Sequence, residues 1–291
     1  MLTRKIMKSF FRKFGLEVKK LPRLSSAEPV LCDDPMEVLH RMRDGEHALL
    51  NCPVELLVRP NGWKFGPTSY NPFSESAREI ISCPDVSYRG SALERYYNAF
   101  RPTTAREAVL GLDAPLRPLE GLAAVLHYLA PWSNKTPEAI LEELKGAYQG
   151  DLSEHGGPLS LEFDKHGWKD HGPVDELFGE FEHQRIKRVT HSIAQRGLCL
   201  KLGVPRTYAL RRGNEFRFLI RGGIHRASAL DALGYRQIPV GIAQPWCVDM
   251  ADSDHWPAVR AKIWSKADAE VYFNHLFDFD SGTFLRAMVS T

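Results

Sequence analysis

Residues 216–240 carry the tightest local constraint in this sequence. In Phe216-Arg217-Phe218-Leu219-Ile220-Arg221, the residues Phe216, Phe218 and Ile220 recur at the period of a half-buried strand. Gly222 and Gly223 then break the strand, and the run from Ile224 to Leu233 is rich in Ala and Leu, as a helix is. Gly234 is placed to stop that helix, and Gln237-Ile238-Pro239-Val240 restarts as a strand. A helix start leaves backbone N–H groups unpaired at the positive end of the macrodipole, so anions are stabilised there. His225 and Arg226 fall in that first turn, and the two glycines, lacking a Cβ, let a phosphate come close. The unit reads as a phosphate cradle, with an ordinary glycine turn of an α/β protein as the alternative.

The same residues resemble a known superfamily. Gly-Gly-x-His-Arg-x-x-Ala-x-x-x-Leu-Gly-x-x-x-Ile-Pro-Val, from Gly222 to Val240, looks like the signature of ParB/sulfiredoxin proteins. Upstream, Arg185, Arg188, Val189, Ser192, Ile193, Gly197 and Leu198 resemble that family's preceding helix and its glycine exit. The likeness covers residues 172–245. It implies a small mixed sheet with helices over 174–250; with the helical signals over 30–150, read as a mainly helical N-terminal region, the chain is expected to be α+β. It also implies that nucleotide phosphates, of ATP or CTP with Mg²⁺, are held by Gly222, Gly223, Ile224, His225 and Arg226, with Arg185 or Arg188 in reach. In relatives that act as small-molecule kinases, an upstream acid takes the acceptor's proton, and Glu182 is the candidate here. Glu182 and Arg185, at i and i+3, are equally a solvated ion pair.

Departures from the family narrow the reading. Ile224 stands where sulfiredoxins carry a cysteine, and an aliphatic side chain has no nucleophile, so sulfinic-acid repair is excluded. Chromosome-partition members have an arginine-rich loop and a downstream helix-turn-helix. Here a single Arg, Arg226, adjoins His225 in the loop, so DNA binding loses support. A wider resemblance, to bacterial proteins of surface-polysaccharide gene clusters, rests on Tyr88-x-Gly90-Ser91-x-Leu93-x-x-Tyr96-Tyr97, the Gly-x-His-Arg loop and Trp256-Pro257-x-Val259. It supplies a context, not an activity; within it, the kinase reading takes a small hydroxyl compound or glycan precursor as acceptor. A non-catalytic nucleotide-gated module in polysaccharide assembly is the alternative.

Charge is unevenly spread. Of the first 23 residues eight are Lys or Arg and one, Glu17, is acidic, so this stretch holds +7 of a net +2 and the rest about −5. Leu2, Ile6, Phe10 and Phe14 recur at helical spacing, so residues 1–24 are expected as a basic amphipathic helix. It would lie on an anionic membrane surface or dock on the protein's own core. No apolar run approaches the ~20 residues of a membrane span, and charges interrupt any signal-peptide stretch. Five cysteines without a CxxC pair suit a reducing compartment. A cytoplasmic protein, peripheral at the membrane's inner face, is expected.

Elsewhere the readings are local. A helix is expected from Asp33-Asp34-Pro35 to Gly45, a strand over 54–58 turning back at Trp63-Lys64-Phe65, and a helix capped by Ser91. A capping box at Thr103–Glu107 starts a further short helix, and 120–132 and 136–148 read as helical, the second with Thr136 as cap and Pro137 at its first position. The aromatics from Trp63 to Phe100 suit core packing or a sugar-stacking face. Residues 151–173 read as a His/Gly-rich loop closing over the cradle, with a metal site from His155, His166 and His171 and an aspartate, Asp164 or Asp170, as the sharper alternative. Residues 251–291 read as a helical extension, with Ser265 capping a helix through Phe277.

Overall fold

The computed structural model describes residues 28–290, so the amphipathic helix expected over 1–24 lies outside the described residues. The fold is mixed α/β. One seven-stranded sheet comprises β1 (Val30–Cys32), β2 (Ala48–Pro53), β3 (Leu57–Val58), β4 (Arg206–Arg212), β5 (Glu215–Gly222), β6 (Gln237–Ile242) and β7 (Val248–Asp249). Its order is β1-β2-β6-β4-β5-β3, with β7 also beside β4. The pairs β4–β5 and β2–β6 are antiparallel; β1–β2, β3–β5, β4–β6 and β4–β7 are parallel. The N-terminal region also supplies three strands to this sheet, β1, β2 and β3. Ala48, Leu49, Leu50 and Cys52 of β2 are all buried, so that strand shows no alternation to announce it.

Ten α-helices surround the sheet: α1 (Pro35–Arg43), α2 (Pro72–Ser82), α3 (Ala92–Ala99), α4 (Pro137–His155), α5 (Phe163–His166), α6 (Glu176–Arg196), α7 (Ile224–Ala232), α8 (Pro257–Arg260), α9 (Lys266–Asp278) and α10 (Ser281–Val289) among the described residues. Caps set several starts: Asp34 accepts from Met36 N–H, Ser91 from Glu94 N–H, Thr136 from Ala139 N–H and Ser265 from Asp268 N–H. Both faces of the sheet are covered. Phe218 and Ile220 of β5 join Phe73, Tyr96, Ile186 and Ala227 in one core. Leu219, between them, joins Leu144, Trp264, Tyr272 and Phe273 in the other. The half-buried strand expected here is buried on both sides at its centre, with Arg217 and Arg221 flanking it.

Several expectations change. The capping box at Thr103–Glu107 forms, with Thr103 N–H 2.7 Å from Glu107 Oε2 and Glu107 N–H 3.2 Å from Thr104 Oγ1, but it closes only turns. Residues 120–132 make a short 3₁₀ stretch, Ala124–Tyr128, between Gly121 and Pro131. The expected strand at 54–58 is mostly a 3₁₀ turn, and its return is a single bridge between Val58 and Lys64. Trp63, Phe65, Phe73, Tyr96 and Tyr97 are buried, which is the packing role and not a sugar face. The His/Gly-rich segment is not loop throughout. Leu144, Tyr148 and Leu152 continue the buried stripe of α4 past Gly150, and the helix runs on to His155 before Gly156, at φ 67°, ends it.

Candidate functional site

The cradle is tighter than a loop. β5 ends at Gly222, α7 begins at Ile224, and Gly223 alone joins them at φ 79°, ψ 27°. A Cβ on Gly223 would come 2.9 Å from Pro205 Cα, so conformation and close packing both require glycine there. Gly222 differs. A Cβ on it would meet no atom within 4 Å, because it borders open space. No side chain caps α7, so the N–H groups of its first turn have no capping acceptor.

That open space is a cavity of about 740 Å³. Gly222, Gly223, Ile224, His225 and Arg226 line it, and so do Arg185 and Arg188 of α6. Lys169, Arg59 and Arg221 bring its Lys and Arg lining to six, against the acids Glu143, Asp151 and Glu154. The sum favours anions. Ile224 is also part of the buried core and contributes only apolar surface. Arg226 is half-buried, donates to Leu202 carbonyl at 2.8 Å, and has its guanidinium's proton affinity lowered by burial.

Glu182 does not line this cavity. It is 1% exposed, and each of its oxygens is engaged: Oε1 accepts from Arg185 at 2.7 Å and Oε2 lies 2.8 Å from His225 Nε2. Arg185 continues to Asp151 at 3.2 Å, and Asp151 to Lys169 at 2.8 Å. A chain of alternating charge thus runs from the loop over the cavity to the ring in the cradle. Burial alone would raise the Glu182 carboxyl, but Arg185 and then His225 hold it below the usual carboxylate range. For His225, burial first and the Arg185 charge second lower the ring's pKa, against the pull of Glu182. The pair is therefore carboxylate and neutral imidazole at neutral pH. Because an ionised carboxylate only accepts, the ring donates from Nε2 and keeps the lone pair on Nδ1. A neutral ring would bring a bound phosphate no charge.

A second buried cluster supports the cavity from behind. Arg59, just past β3, donates to both Asp170 oxygens at 2.7 Å and to Ile220 carbonyl at 3.0 Å. Tyr128 donates to Asp170, and His127 Nε2 lies 3.3 Å from it. Tyr96 donates to the Asp170 carbonyl at 2.7 Å and Tyr97 to the Lys169 carbonyl at 3.0 Å. The 168–172 segment is thereby fixed, and Trp168 and Lys169 line the cavity. His155, His166 and His171 do not converge: among the described residues no group of three or more His, Cys, Asp or Glu side chains could hold a metal ion.

Sequence reasoning missed Asp151, Lys169, Arg221 and the Arg59–Asp170 pair. Arg221 stood in the motif run itself and was read only as a strand's polar position. Lys169 and Asp170 stood in the segment singled out for its histidines. Comparisons with protein-family models, with curated proteins and with solved structures find no match for this chain.

Proposed function

We propose that this chain binds a nucleoside triphosphate, ATP or CTP, at Gly222–Arg226 and transfers a phosphoryl group to a small hydroxyl compound or glycan precursor. What carries the reading is convergence on one cavity: an uncapped helix start, a glycine with open space above it, and Arg185, Arg188, Arg226 and Lys169. The volume lies within the roughly 300–1,000 Å³ of small-molecule sites. Mg²⁺ bound with the nucleotide would neutralise charge between its phosphates. It usually takes only one or two protein carboxylates. Glu154, which lines the cavity and has no ion-pair partner among the described residues, is the available one.

Arg226 and Arg188 supply charge to the phosphates, while Arg185, already paired, holds the wall. His225 takes a different part. Its Nδ1 lone pair accepts the acceptor's hydroxyl proton, and Glu182 fixes the tautomer that keeps that lone pair free, so Glu182 is a positioning residue acting through His225. Calorimetric titration tests the core of this. Mg·ATP or Mg·CTP should bind, and Arg226→Ala should weaken binding about tenfold or more. Absence of binding by both nucleotides would sink the proposal.

One observation favours a second reading, a nucleotide-gated module without turnover in polysaccharide assembly: the carboxylate nearest the cradle is buried and fully engaged. Nucleotide binding without acceptor-stimulated turnover would select it. In either case the basic stretch 1–23 would hold the protein at an anionic membrane surface. Co-sedimentation with anionic liposomes that survives deletion of those residues counts against that anchor. No helix among the described residues is long and apolar enough to cross a membrane.

A further inference from the structure

A second cavity, of about 520 Å³, adjoins the first. Tyr128, Glu143, Leu144 and Arg221 line both, so the two spaces share a wall. Their chemistry is unlike. Where the first sets six Lys and Arg against three acids, the second has Lys135 and Arg221 against Glu143, Asp249 and Asp252. Most of these are already paired: Lys135 with Glu143 at 2.5 Å, Asp249 with Arg211 at 2.9 Å, and Arg221 with Glu143 at 3.8 Å. Little charge is left over for a charged ligand. A polyphosphate is poorly matched.

What is left is flat apolar surface with hydrogen-bonding groups and one carboxylate beside it. Trp132 in this cavity is committed, stacked on Tyr272 at 5.9 Å and meeting Trp256 edge-on at 5.6 Å. Trp246 is not. It is 55% exposed and stacks on no ring among the described residues. An indole left in water forgoes about 25 cal/mol for each Å² it could bury, which makes a free platform at a cavity wall informative. Asn134 and Gln244 bring amides, and Asp252 a carboxylate with no side-chain partner among the described residues. One face of a pyranose or cyclic polyol is a patch of C–H bonds that lies flat on such a ring. Its hydroxyls leave at the rim, where amides and a carboxylate can bind them.

The geometry points to this second cavity as the binding site of a neutral sugar or cyclic polyol, seated on Trp246, that serves as the hydroxyl acceptor. The acceptor role rests on the transfer reading above; the sugar site itself does not. The shared wall places the bound hydroxyl compound next to the cationic cavity, with Arg221 bordering both.

Saturation-transfer NMR on the full chain without nucleotide tests it. The probes are the methyl glycosides of glucose, galactose, mannose and N-acetylglucosamine, together with myo-inositol. Choline and glucuronate are the charged counterparts. At least one neutral probe should bind saturably, and Trp246→Ala and Asp252→Asn, both at exposed positions, should each weaken it about tenfold or more. Thermal melts of both variants should match the parent. Failure of every neutral probe, a preference for choline or glucuronate, or binding unchanged in Trp246→Ala would overturn the site. Mg·ATP and Mg·CTP titrations on the same samples keep the two proposals apart. Nucleotide binding without sugar binding defeats this inference alone, and sugar binding without nucleotide binding keeps the site but removes its role as acceptor.

Discussion

Gly222 and Gly223 are adjacent and chemically identical, yet their environments assign them different work. Gly223 sits at φ 79° with Pro205 Cα 2.9 Å from any added Cβ. Gly223→Ala should therefore cost stability, roughly 1–3 kcal/mol, read as a lower urea midpoint. Gly222→Ala meets open space, so its melt should match the parent while nucleotide affinity falls. Equal loss of stability in both variants would contradict this division. The Glu182–His225 pair separates binding from chemistry in the same way. Glu182→Gln keeps volume but lets the ring sample the other tautomer. Turnover should drop on the order of 10² while nucleotide affinity stays within about twofold. A lost affinity with unchanged turnover would refute the positioning role. His225 was legible in the sequence because it lies beside two glycines in one short run. Its partner's role was not, since nothing local shows that Glu182 is buried behind the ring, 43 residues away.

At the scale of elements, what could be read depended on whether the signal was local. Helices α1, α3, α4 and α9 begin with an Asp, Ser or Thr cap, in two cases followed by proline, and those starts were visible. Helix α2 was missed although Asn71 caps it ahead of Pro72, because the preceding glycines and prolines blend into it. Strands β1 and β2 gave no alternation. The Arg59–Asp170 bond joins residues 111 apart and has no sequence signature at all. It ties the end of β3 to the segment that walls the cavity. Asp170→Ala leaves the Arg59 guanidinium buried without its carboxylate, and should cost roughly 3–5 kcal/mol by urea denaturation. A loss below about 1 kcal/mol would show the pair to be dispensable.

At the scale of the molecule, buried imidazoles set the acid limit. Burial pushes His171, His225 and His275 each down to about 4. In the unfolded chain a histidine titrates near 6.5. Between these values the unfolded state binds more protons than the folded one, so stability is full above pH ~6.5 and falls as pH drops toward 4. The slope should approach about 1.4 kcal/mol per pH unit for each histidine. Urea denaturation at pH 7.5, 6 and 5 checks it, and equal stabilities would refute it.

The strand order β1-β2-β6-β4-β5-β3 has a consequence in time. Both outer strands, β1 and β3, and the inner strand β2 come from residues 30–58, whereas β6, β4 and β5 come from residues 206–242. During synthesis, the edges of the sheet leave the ribosome first and must wait for their neighbours until nearly the whole chain has followed. Pairings over such separations close slowly. Through that interval β2, apolar on both faces, is the segment most in need of a chaperone, and a chain halted near residue 200 should be captured by one rather than fold.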